Sequence, residues 1–195
     1  MHPRCNPDSQ NVLDQASQEA KGARKTSMRK QKGFSLIELL IVVAIILIIA
    51  AIAIPNLLRS RIAANEASAT SSLRSLNTAE ITYASTYNSG FTTTLNFLGA
   101  PSAGAQPDQF NADLTDPVLA GRSTGGGAAT FIKSGYTFTY APTGNNTNFG
   151  FVAQYQCVAD PQARGSSGQR SFFSNESAVI RANATTTAII SDTPI

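Results

Sequence analysis

Few side chains in this 195-residue chain could do chemistry. Its single histidine is His2 and its two cysteines are Cys5 and Cys157. No Ser/His/Asp or Cys/His set can be assembled from them, and no His-rich metal site. Asp108, Asp113 and Asp116 lack the spacing of a calcium loop. Gly125-Gly126-Gly127 is followed by no Gly-Lys-Ser/Thr, so it reads as a surface loop rather than a phosphate cradle. Asn145-Asn146-Thr147, Asn175-Glu176-Ser177 and Asn183-Ala184-Thr185 are acceptor sequons of a kind that an Asn/Thr-rich chain produces by chance. The expectation is a non-enzymatic protein with no catalytic residue, no metal and no cofactor. The informative residue is Glu38, a carboxylate set inside an apolar run.

That run, Phe34 to Ile54, reads FSLIELLIVVAIILIIAAIAI and is broken only by Ser35 and Glu38. As a helix it would span about 31 Å at about 1.5 Å per residue, the thickness of a bilayer core. Lys21, Arg24, Lys25, Arg29, Lys30 and Lys32 precede it, against Arg59 and Arg61 after it. This asymmetry places the N-terminus in the cytoplasm and the rest of the chain across the membrane. A carboxylate in such a helix costs about 2.5–3.5 kcal/mol on insertion scales. Glu38 either snorkels to the interface or has a partner charge. A cut before Phe34 would create one, as a new α-amino group in the same chain or a neighbour, and the two charges would relieve each other's desolvation.

Lys32-Gly33-Phe34-Ser35-Leu36-Ile37-Glu38 and the run behind it resemble the prepilin peptidase site of type IV pilins and type II secretion pseudopilins. The resemblance is specific over residues 29 to about 65. It implies cleavage after Gly33, N-methylation of Phe34, and a role for Glu38 in assembly through a neighbouring subunit's N-terminus. Pro55, in Ala53-Ile54-Pro55-Asn56, matches a common pilin feature and would kink the helix, since proline lacks an N–H and clashes one turn back. Two ordinary readings compete. Ala51-Ile52-Ala53 fits a signal peptidase site, although the apolar stretch exceeds the usual h-region, and an uncleaved anchor would look similar.

The remaining organisation follows. Residues 1–33 are the leader, with Met28 as an alternative translation start, because residues 1–27 carry no export signature. Residues 34–54 form the membrane or filament-core helix and 55–88 its amphipathic continuation, some 80 Å in all. Leu58, Ile62, Ala69, Leu73, Leu76, Tyr83 and Tyr87 make its apolar stripe, and Asn88-Ser89-Gly90 is its stop. Residues 89–134 form a connecting loop pinned by Phe91, Phe97, Leu98, Phe110 and Leu114. In 135–195, alternation at Tyr136/Phe138/Tyr140 and at Phe149 to Cys157, with a turn at 142–146, predicts strands. Shorter ones follow at 171–174 and 178–182. The fold class is α+β, with one long helix on a roughly four-stranded antiparallel sheet. Gly135-Tyr136, Arg170-Ser171-Phe172-Phe173 and Ile180-Arg181 resemble the sheet of some bacterial major pilins.

Charge and cysteine usage agree with export. Residues 1–33 hold seven Lys/Arg and three Asp/Glu, and 34–195 hold eight and nine. The basic balance therefore belongs to the leader, and nothing in it indicates nucleic acid, although DNA uptake is one role of such filaments. With the leader gone, Cys157 is alone and reads as a buried apolar residue.

The resemblance implies a structural subunit of a type IV pilus: inner-membrane precursor, then extracellular helical homo-oligomer, serving adhesion, twitching motility or DNA uptake. Its implied partners are prepilin peptidase, an assembly platform and an ATPase. A type II secretion pseudopilin is the first alternative and a membrane-anchored binding protein the second. A C-terminal disulfide loop, present in many pilins, is missing, so the hold on the tail from Asn183 to Ile195 is open.

Overall fold

The computed structural model describes residues 33–122, 129–146 and 151–195. The leader through Lys32, Gly125-Gly126-Gly127, and Thr147 through Gly150 lie outside the described residues. The chain divides into an N-terminal unit ending at Leu47 and a larger unit from Ile48 to Ile195.

A single helix, α1, runs from Leu36 to Tyr87 and contributes to both units. It continues through Pro55. The missing N–H removes the bond to the Ala51 carbonyl without ending the helix. Beyond Tyr87, Asn88 adopts a left-handed backbone with φ 50° and Gly90 one with φ 73°, the conformation in which helices commonly end.

The sheet has six strands in simple sequential order, each antiparallel to its neighbour: β1 (Thr130–Lys133), β2 (Tyr136–Asn146), β3 (Phe151–Pro161), β4 (Ser171–Asn175), β5 (Arg181–Asn183) and β6 (Thr193–Pro194). This corrects the expected four. The two extra strands are edge strands of four and two residues, too short for a periodic signal. β1 also overturns the reading of 89–134 as an unbroken loop. It joins β2 through Ser134 and Gly135, whose φ values of 50° and 74° are the positive pair that a two-residue type I′ hairpin requires. A 3₁₀ turn at Leu95–Leu98 lies in the same stretch.

The turn expected at 142–146 is strand instead. Pro142 pairs with Tyr155 in register. β1 covers β2 only from Tyr136 to Thr139, so the missing N–H of Pro142 falls where no outer strand needs it. The expected strand at 178–182 begins later, at Arg181, because Ala178 sits at φ 58°.

The core of the larger unit forms where α1 meets this sheet. Ala69, Leu73, Leu76, Ala79 and Tyr83 cluster with Phe131, Tyr136, Phe138, Tyr140, Tyr155, Cys157, Ala159, Phe172 and Ile180. Leu73 is fully buried, and each such leucine contributes about 1.5–3 kcal/mol. Phe131 stacks on Phe138 at 4.5 Å, and Tyr140 on Tyr155 at 5.8 Å. Phe110, expected to pin its loop, is 52% exposed, although its ring meets Phe97 edge-on at 5.3 Å.

The helix stripe is less apolar than predicted. Glu66, Ser72, Asn77 and Glu80 are buried within it, each except Ser72 bonded to a loop or strand. The Asn77 amide oxygen accepts from Tyr155 Oη and Ser174 Oγ, both at 3.0 Å, and its nitrogen donates to the Ala178 carbonyl at 3.4 Å. These polar pairs fix how α1 lies on the sheet, since leaving any of them unmade strands a buried group.

Candidate functional site at the N-terminal segment

Gly33 and Phe34 precede the helix in extended or irregular backbone, and both are exposed; Phe34 is 80% exposed. A side chain at Gly33 would meet nothing within 4 Å. The junction is thus sterically open. Ser35 stands just before α1, and its C=O accepts the Leu39 N–H at 3.2 Å. Its own N–H donates to Glu38 Oε2 at 3.3 Å. This is half of a capping box, in which an acid at the third helical position returns to the residue before the helix. Negative charge there also complements the positive end of the helix dipole. The Ser-x-x-Glu signal for this bond stands in the sequence, where the anomalous charge of Glu38 hides it. Within one chain, Glu38 therefore has a local partner besides any amine.

Behind Glu38 the apolar side chains are left uncovered by the described residues. From Leu36 to Leu58 every leucine, isoleucine and valine is exposed, and Leu57 is 71% exposed. α1 is long and apolar enough to cross a membrane. Its apolar surface must be covered by lipid or by other protein. At roughly 25 cal/mol per Å² exposure to water over this length is not sustainable.

The second feature of functional interest is the C-terminal tail. No disulfide is present among the described residues, and Cys157 is free and fully buried. Asp192 takes over. Its Oδ1 accepts from Asn183 Nδ2 at 3.0 Å and its Oδ2 from the Ile189 N–H at 2.7 Å, while its carbonyl accepts from Arg181 Nη1 at 2.9 Å. Arg164 reaches the Ala184 carbonyl at 3.3 Å and Thr187 Oγ1 reaches Asp160 at 3.2 Å. Ala188 is buried beneath this belt.

Two of the three sequons have their asparagines occupied as turn acceptors. Asn175 Oδ1 accepts from Ser177 Oγ at 2.6 Å, and Asn183 Oδ1 from the Thr185 and Thr186 N–H groups at 3.0 Å. The third, Asn145-Asn146-Thr147, ends outside the described residues. Among the described residues no group of three His, Cys, Asp or Glu side chains could hold a metal.

The buried ionisable groups are structural. Glu66 Oε1 accepts the Gln169 and Arg170 N–H groups at 3.0 Å, and its Oε2 lies 2.8 Å from Arg170 Nη2. Burial alone would raise its pKa, but those N–H groups and the guanidinium outweigh it and hold the carboxyl below its usual range. Glu80 is fully buried; its Oε2 accepts the Thr92 N–H at 3.0 Å and its Oε1 the Thr92 hydroxyl at 2.6 Å. Here burial wins over those hydrogen bonds and pushes the carboxyl up.

A long helix, apolar then amphipathic, set on an antiparallel sheet and opened by this Gly-Phe junction, is consistent with the pilin fold. Residues 28–54 match the family described as the prokaryotic N-terminal methylation motif. Over 39 residues the chain is 67% identical to the type IV wide pilus major component PilA4 of Thermus thermophilus. That match spans 20% of this chain and 30% of the relative's length. No solved structure matches the chain.

Proposed function

We propose that the chain is the precursor of a structural subunit of a type IV pilus. Prepilin peptidase cuts it between Gly33 and Phe34, the Phe34 amine is methylated, and the mature chain polymerises through α1. Before assembly the apolar part of α1 lies in the inner membrane with the N-terminus cytoplasmic. An assembly platform and ATPase then move it into an extracellular filament that serves adhesion, twitching motility or DNA uptake. Pro55, which lacks an N–H and crowds the turn before it, kinks the helix.

The observation that carries this reading is the pairing of an open Gly33-Phe34 junction with an apolar helix face that nothing among the described residues covers. Identical helices in a fibre core would bury that face as lipid does. Their contacts would be head-to-tail, the kind that builds an open helix rather than a closed ring. In the fibre core Glu38 pairs with the Phe34 amine of a neighbour. The likeness to a wide-pilus major component supports a pilus over a type II secretion pseudofilament.

Intact-mass analysis of exported subunit tests the cut, with a mature start at methylated Phe34 expected and a start near Ile54 against it. Glu38→Ala and Glu38→Gln test the carboxylate. Gln keeps an acceptor for the Ser35 N–H and loses only the charge. Both variants insert more easily, by up to about 2.5–3.5 kcal/mol. Normal precursor in membranes with few sheared fibres is expected of both. Wild-type fibre yield from the Gln variant would show that Glu38 serves as a helix cap and not as an ionic partner.

A further inference from the structure

The sheet face turned away from α1 carries a groove of about 390 Å³ beside the C-terminal tail, within the range of small-ligand sites, about 300–1,000 Å³. The strand register fixes which side chains reach it. Tyr155 and Ser174 face α1, where both bond Asn77. Gln154, Gln156, Phe173 and Asn175 are their neighbours along β3 and β4, and so stand on the opposite face. Phe173, with Ile189 and Ile190 from the tail, gives the groove an apolar lining. The carboxamides give it a polar one. Asn175 is only 7% exposed, and only its Oδ1 is engaged, accepting from the Ser177 N–H at 3.3 Å and the Ser177 hydroxyl at 2.6 Å. Among the described residues its Nδ2 donates to nothing, yet it is not sealed from outside. The side chains of Gln154 and Gln156 make no hydrogen bond there either. A largely buried amide N–H without an acceptor is rare in a folded chain, and an acceptor brought into the groove from outside completes it.

We propose that this groove binds a neutral saccharide on the scale of a disaccharide. A carboxamide donates and accepts at once, as the neighbouring hydroxyls of a sugar ring do, and the groove offers it three. The apolar C–H face of such a ring suits Phe173 and the two isoleucines, in the usual division between apolar walls and a few polar groups that fix orientation. Charge decides against anionic ligands. Glu176 is the acid of the lining and no Lys or Arg joins it, so a phosphate or sulfate group, and with it nucleic acid, would meet repulsion rather than pairing. A peptide strand is disfavoured too. The backbones of Gln156 and Asn175 are already paired between β3 and β4, so the strand addition by which sheets take up peptides has nothing to join there. The groove uses no residue of the N-terminal segment, and the inference stands whether or not the chain forms filaments.

Saturation-transfer NMR on the full chain, in a detergent without sugar headgroups, tests the site. Maltose, cellobiose, lactose and chitobiose are the probes, and at least one should receive saturation on its ring protons. Asn175→Asp keeps an acceptor for Ser177 and loses the Nδ2 donor, so it should weaken that binding about tenfold. Gln156→Ala should weaken it about as much, and because Gln156 is exposed the loss there is not a loss of fold. Absence of transfer to all four probes overturns the site. So does transfer that both variants leave unchanged, which would mark an adventitious additive only. A fall in sheared-fibre yield with Gln156→Ala, while the wild type binds no probe, would give the groove to a second copy of the chain and overturn the saccharide site as well.

Discussion

Glu66 and Glu80 lie about four turns apart on the buried face of one helix, and their surroundings push them in opposite directions. Glu66, held below its usual range by N–H groups and Arg170, stabilises the fold when ionised. Its contribution is present above the unfolded carboxyl pKa of about 4.3 and is lost as pH falls through the lower folded value. Glu80, raised by burial, works the other way. Its contribution is complete below about 4.3 and fades as pH rises through its higher folded value.

Glutamine variants should separate the two. Glu66→Gln is expected to lose stability at pH 7 and to converge with wild type in acid. Glu80→Gln keeps an acceptor for the Thr92 N–H and stays neutral at every pH, so it should match wild type near pH 4 and exceed it at pH 8. Urea unfolding of the detergent-solubilised full chain across pH 3–8 reads both. A Glu80→Gln deficit that grows with pH would mean that the ionised form is the favoured one.

Asn77 ties three groups to the helix at once. Asn77→Leu conserves volume but strands the Tyr155 hydroxyl, the Ser174 hydroxyl and the Ala178 carbonyl. The expected cost is about 2–4 kcal/mol, from buried polar groups left without partners. The same denaturation measurement checks it, and a change under about 0.5 kcal/mol, the range of ordinary surface substitutions, would rule out a structural role for the network.

Asp192→Ala should free the tail while leaving the core folded. It removes two bonds to one carboxylate, worth about 1–3 kcal/mol locally. Hydrogen exchange should rise across residues 184–191 with little change in α1 or β3, and limited proteolysis should cut there first. Uniform protection in the variant would mean that Arg164 and Thr187 suffice to hold the tail.

The long apolar run, the stop at Asn88 and the aromatic alternation in β2 were legible because each depends on local periodicity. The capping bond from Ser35 to Glu38 was legible too, as Ser-x-x-Glu, but was masked by the charge of Glu38. So was β1, announced by Ser134-Gly135 between Phe131-Ile132 and Tyr136. Glu66, Asn77 and Glu80 were not legible. Their partners at Arg170, Ser174 and Thr92 come from distant or irregular segments, and a polar residue on an apolar stripe reads as a gap until its partner is placed. The belt around Asp192 escaped for the same reason. Its bonds join side chains to loop backbone and to one another, which leaves no periodic trace.

The tail belt has a bearing on redox chemistry. A tail closed by a covalent crosslink depends on an oxidant before it can set. Here the closure is made of hydrogen bonds around Asp192 and Arg181. Cys157 is sealed in the core, with burial pushing its thiol up to about 12, so it offers no thiolate for exchange. Such a domain folds to the same endpoint in reducing and in oxidising surroundings, and thiol reagents should leave its stability unchanged.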